Sequence, residues 1–164
     1  MTMTLVETIT VGSGGAASIE FTGIAGDGVD LFLVLSARAD NTSPGVEVTF
    51  NSDTTDYSNI TLRGLTPSVS SVSGTGGSRF DLYANRSGDT ANTFSSNSLY
   101  ISNYTSAAAK PLSLDAVYEN NATFAAQYIA AGLWNDTAAV TSIQVAHTNS
   151  NFVENTSASL YIIS

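Results

Sequence analysis

The feature that most limits the fold is a two-residue hydrophobic period, cut repeatedly by turn-forming residues. In SIEFTGI (18–24), Ile19 and Phe21 fall on one side and Ser18, Glu20 and Thr22 on the other. That is the pattern of a strand with one face on a core, because successive strand side chains point to opposite faces. VEVTF (46–50) and NITLRG (59–64) alternate in the same way, and PLSLDAVYE (111–119) gathers Leu112, Leu114, Ala116 and Tyr118 on one face. RFDLYA (79–84), NSLYISNY (97–104), VTSIQVAH (140–147) and SASLYIIS (157–164) read as strands too, and Leu5, Ile9 and Val11 offer a weaker first one. VDLFLVLSAR (29–38) is apolar on both faces, which predicts a strand covered on both sides. FAAQYIAAGLW (124–134) is rich in alanine, yet its β surroundings outweigh that helical preference.

Between these segments stand GSGG, AGDG, DNTSPG, SGTGGS, NRSGDT and HTNSN, clusters that favour turns. Ten or eleven short strands so punctuated predict an all-β, antiparallel β-sandwich or jelly-roll-like single domain over 1–164. Residues 1–11 are expected as an N-terminal arm strand. LTPSVSSVSGTGGS (65–78) has no clear period and is expected as a flexible Ser/Gly loop, or one ordered by a neighbouring subunit.

Composition narrows the function classes. The chain has no cysteine, which removes disulfides, thiolate zinc sites and a cysteine nucleophile. Its 14 acidic residues face one lysine, Lys110, and four arginines, Arg38, Arg63, Arg79 and Arg86, for a net charge of −9. Nucleic-acid affinity comes mainly from neutralising phosphates, so neither nucleic acid nor an anionic membrane is an expected partner. No stretch approaches the ~18 apolar residues of a membrane-spanning helix, and MTMTLVETITV lacks the basic start of a signal peptide. Charged residues are 12% of the chain, against about 25% in ordinary domains. Ser, Thr and Asn, about a third of the sequence, supply the polar surface instead. Short side chains suit flat sheets in close contact with other proteins.

Sites for chemistry are few. The one histidine, His147, ends a strand beside HTNSN, and no G-x-S-x-G elbow accompanies it; a solvated histidine is expected there. Asp115 and Glu119 share a strand face, but four residues of strand place them ~13 Å apart, beyond the separation of a glycosidase pair. Glu20 and Glu47 are the other candidate pair of strand carboxylates. VGSGGAAS and SGTGGSR lack the G-K-[ST] of a nucleotide loop. Seven N-x-[ST] sequons, at Asn41, Asn59, Asn85, Asn103, Asn121, Asn135 and Asn155, are attributed to the abundance of their residue types. In FNSDTTDYS (50–58), Asp53 and Asp56 match no standard calcium loop. The expectation is a turn capped by Asn51 or Asp53, with Phe50 ending one strand and Tyr57 starting the next. No catalytic residue, metal ligand or cofactor-binding residue is therefore assigned.

FNSDTTDYSNITLRG, preceded by SIEFTGI and DLFLVLSAR, resembles small structural proteins of tailed bacteriophages, particularly phages of marine and freshwater bacteria. The shared order is I-x-F-T-x-I, then D-L-x-L-V-x-S-x-R, then F-N-x-D-T…Y-S. LYISNYTSAAAKPLSLDAVYENNAT, AAGLWNDTAAVTSIQV and NFVENTSASLYII continue it. Ser52 and Ile162 stand where glycine is expected. The resemblance implies a non-enzymatic virion β-sandwich, with Trp134, Phe21, Phe50, Tyr100, Tyr118 and Tyr161 as core anchors. It points to a capsid decoration (cement) protein on the outer capsid surface, trimeric and bound to the major capsid protein. The alternative is a tail-fibre, tail-tip or head-fibre domain that binds host glycans; a secreted carbohydrate-binding module ranks third.

Overall fold

The computed structural model describes residues 2–120 and 123–164, so the sequon at Asn121 and residue Met1 lie outside the described residues. The described residues form twelve strands: β1 (Met3–Thr10), β2 (Ser18–Thr22), β3 (Asp30–Ser36), β4 (Gly45–Phe50), β5 (Tyr57–Leu65) and β6 (Ser68–Gly77) make the first half. The second half comprises β7 (Phe80–Tyr83), β8 (Ser96–Ile101), β9 (Lys110–Asn120), β10 (Phe124–Trp134), β11 (Ser142–His147) and β12 (Ser157–Ile163). Every pairing is antiparallel. They make an eight-stranded sheet, β1-β12-β3-β8-β9-β10-β5-β6, over a four-stranded sheet, β2-β11-β4-β7. The fold is an all-β sandwich, as the alternating pattern predicts.

The core lies between the sheets. Leu31, Leu33 and Leu35 of β3, Leu99 and Ile101 of β8, and Leu112 and Leu114 of β9 form one wall. Ile19, Phe21, Val46, Val48, Phe50, Ile143 and Val145 of the small sheet form the other. β10 is a strand because it sits between β9 and β5 and gains a hydrogen-bonded neighbour on each side. Its small residues also have a use. At Gly132 a Cβ would stand 2.2 Å from the Phe80 ring, so the bare backbone of β10 is what lets that ring reach the core.

The strands depart from the sequence reading in three places. The expected loop at 65–78 is mostly strand β6, paired with β5 through eight positions after a turn at Thr66–Pro67. Ser and Gly have low strand preference, so the ladder with β5 organises this segment where side-chain pattern does not. Second, β3 is covered on one side only: Leu31, Leu33 and Leu35 are buried, whereas Phe32 and Val34 face outward and are half-buried. Third, Tyr100 and Tyr161 are not core anchors. They flank Phe32 on that same outer face, while Trp134, Phe21, Phe50 and Tyr118 are buried.

The large sheet is wider than the small one beneath it. Its terminal strands overhang: every residue of β6 is exposed, and β1 is exposed at all but one position.

Candidate functional site

The FNSDTTDYS segment is a turn fastened from several directions. Asn51 and Ser52 hold φ of 53° and 59°, and the Asp53 N–H closes the turn on the Phe50 carbonyl at 2.8 Å. Asn51 Oδ1 accepts from the Thr141 and Ser142 amides at 2.8 and 3.1 Å, tying the turn to the start of β11. Asp53 Oδ1 accepts from the Thr55 amide and hydroxyl at 2.9 and 2.8 Å, and Oδ2 accepts from the Trp134 indole at 2.7 Å. The indole bond holds the Asp53 carboxyl below its usual range, the Thr55 bonds acting the same way against partial desolvation. Phe50 ends β4 and Tyr57 opens β5, both buried, and the Tyr57 hydroxyl accepts the Phe50 N–H at 2.8 Å. Both Asp53 oxygens thus have donors within the protein. Among the described residues, no three His, Cys, Asp or Glu side chains gather as a metal site.

His147 is buried, which corrects the expectation of a solvated ring. Its Nδ1 accepts the Asn149 amide at 3.3 Å and lies 2.9 Å from the Ser150 hydroxyl, so Nε2 carries the hydrogen donated to the Ser43 carbonyl at 3.0 Å. A catalytic triad would orient the ring with a carboxylate; here a main-chain carbonyl occupies that place. The histidine pins the turn after β11 to the 41–45 segment.

The strand carboxylates separate into different roles. Glu119 accepts from the Thr90 amide at 2.8 Å and the Thr93 hydroxyl at 2.9 Å, fastening the 85–95 connection. Asp115 stands exposed on the outer face, Glu20 accepts from Gln144 at 2.8 Å, and Glu47 pairs with Arg79 at 3.0 Å. Two cations serve as internal clamps that the sequence did not flag. Arg38 donates to the carbonyls of Thr90, Thr93, Ser87 and Asp89. Lys110, fully buried, donates to those of Ser106, Ala108 and Asp136 and lies 5.4 Å from the Trp134 ring centre. Burial lowers the Lys110 pKa, the Asp136 charge opposing it.

What remains is a surface. Register places Leu5, Tyr161, Phe32, Tyr100, Ser113, Ala131 and Ile60 in one row across the outer face of the large sheet. The next row runs Thr8, Ser159, Val34, Ser98, Asp115, Ile129 and Leu62. Ile60, Leu62 and Ile129 are each about half exposed, at 52%, 53% and 51%, with Val117 and Val69 beside them. Charge enters these strands' outer positions only through Asp30, Asp115 and Glu119, and the Tyr100 hydroxyl and the Asn103 amide bind Asp30. That bond to Asp30 raises the Tyr100 pKa. Ile60, Leu62, Ile129 and Val117 thus form an apolar area on this face, bordered by the exposed Asp115. No protein-family profile, curated protein or solved structure matches the chain.

Proposed function

We propose that this chain is a structural protein of a tailed-phage virion, most simply a capsid decoration protein that acts by binding alone. Its partners on this reading are the major capsid protein and further copies of itself, trimeric at a threefold position of the shell. One observation carries the binding part: the outer face of the eight-stranded sheet is apolar at Ile60, Leu62 and Ile129 and nearly free of charge. The assignment to a virion rests on the resemblance of SIEFTGI, DLFLVLSAR and FNSDTTDYS to phage structural proteins. A face with so few charges docks at little desolvation cost, the exposed Asp115 beside Ile129 being the main one. Burying its apolar side chains at ~25 cal/mol per Å², repeated over a lattice, would brace a shell against internal pressure.

A second reading has its own observation. Tyr161, Phe32 and Tyr100 are direct cross-strand neighbours on the same face, and a row of aromatic rings suits stacking on sugars. This favours a fibre or tail-tip domain that recognises host glycans.

The deciding measurement is quantitative mass spectrometry of purified particles against their major capsid protein. A copy number close to that of the capsid protein supports decoration. A number far below it moves the chain to a fibre or tip, and absence from particles overturns the virion reading.

A further inference from the structure

The two sheets end in four terminal strands, which differ in how far they are protected against indiscriminate strand addition. β2 and β7 are short, at 5 and 4 residues, and contain Glu20 and Asp81. β1 has Glu7 and a bulge between Leu5 and Glu7. β6 has none of these in its strand: ten residues, SVSSVSGTGG, uncharged, without proline and exposed throughout. Such an edge is a template for another strand unless something covers it.

The opposite edge of the same sheet fits it. Seven successive antiparallel pairings separate β1 from β6, so the two strands run in opposite directions. A second copy set end to end in the same orientation therefore brings its β1 antiparallel to β6, with the outer faces continuous. Both strands have similar lengths, 8 and 10 residues, and both expose apolar side chains: Met3, Leu5 and Val6 on β1, Val69 and Val72 on β6. Charge agrees as well. Arg38, Arg79, Arg86 and Lys110 are held by carbonyls or carboxylates. Among the described residues, Arg63 alone has only a hydroxyl, that of Ser70 on β6, at 3.3 Å. Arg63 pairs with buried Tyr128 and so lies on the inner side of the sheet. Glu7 pairs with buried Leu160 and lies on that same side at the other edge, with no side-chain partner among the described residues.

We propose that β6 accepts β1 of a second copy of this chain, head to tail. Glu7 of the incoming copy then sits opposite Ser70, and Thr8 opposite Val69. Glu7 and Arg63 are two strands apart on one face, about 10 Å between Cα atoms, which their side chains span. The contact is heterologous: each copy uses both edges, and repetition gives a closed ring or an open fibre according to the rotation per copy. Pairing β6 with another β6 would leave β1 and its apolar residues uncovered; pairing β1 with β1 would leave β6 uncovered.

The test uses the purified full chain and needs no capsid, so its failure leaves the virion reading standing. Sedimentation of the wild type should show association that grows with concentration. Arg63→Glu and Glu7→Arg should each weaken it about fivefold, the scale of one exposed ion pair, and the double swap should restore it. Because the native chain has no cysteine, Thr8→Cys mixed with Val69→Cys should form an interchain disulfide on oxidation. Val69→Cys alone should not. A strictly monomeric wild type overturns the proposal, as does a double swap that fails to restore association. Efficient cross-linking of Val69→Cys with itself overturns it too, because that outcome means β6 meets β6.

Discussion

Trp134 donates its indole N–H to Asp53 Oδ2 across 2.7 Å, joining the end of β10 to the turn between β4 and β5. Around the fully buried indole stand Phe50, edge-on at 5.4 Å, and Tyr57, stacked at 6.4 Å. A buried indole N–H without an acceptor carries its full desolvation cost. Asp53→Ala should therefore lower stability by about 1 kcal/mol, a figure reduced from the usual value for a charged acceptor because Asp53 is partly solvated. Asp56→Ala should stay within about 0.5 kcal/mol, and urea unfolding of both compares them.

The same bond predicts a pH dependence. It lowers the Asp53 pKa in the folded state from the usual 3.8. The carboxylate's contribution is then complete above the unfolded-state value and is lost as pH falls through the lower folded value. Wild type and Asp53→Ala should thus converge in stability in acid below that usual value and differ at neutral pH. Since both Asp53 oxygens already have donors, added calcium or EDTA should leave the melting midpoint unchanged.

Gly132 and Phe80 make a second test. A Cβ at Gly132 would overlap the Phe80 ring at 2.2 Å, and that ring is buried between the sheets. Gly132→Ala should destabilise the fold by about 2 kcal/mol, an overpacking penalty. Adding Phe80→Leu should recover part of the loss, so a double-mutant cycle by denaturant titration should show non-additivity.

Lys110 offers a third. Its ammonium serves three carbonyls, at 2.8, 2.7 and 3.1 Å. Lys110→Met keeps the stem and removes the donors, leaving those carbonyls unpaired in a site without exposure. The expected cost is about 2–4 kcal/mol, read by chemical unfolding.

The outer-face residues should behave in the opposite way. Leu62→Lys and Ile129→Lys change half-exposed positions that make no core contact, so stability should move by no more than about 0.5 kcal/mol. Binding to capsids, measured by co-sedimentation with particles stripped of the chain, should fall sharply. A loss of stability with intact binding would place these side chains in the fold and not in docking.

Strand identity was legible because period-two alternation is a local property. Ile19, Phe21, Leu112 and Leu114 declared the core face, and Asn51 and Asp53 declared the turn they cap. β6 was not legible: Ser and Gly carry no face preference, and only hydrogen bonding to β5 makes it a strand. His147 looked like a surface residue beside a turn, because the Ser43 carbonyl that receives its N–H comes from a segment about a hundred positions away in the chain.

That this chain is an antiparallel β protein follows from side-chain period and turn chemistry, which act between near neighbours. Which strands end the sheets, and which apolar residues stay uncovered, depends on contacts made across the folded molecule. VDLFLVLSAR is apolar on both faces whatever its surroundings, but whether Phe32 and Val34 are covered depends on whether a layer packs on the outside of the large sheet. The small sheet packs on the side of Leu31, Leu33 and Leu35, and which face it takes is set by contacts between residues far apart in the chain.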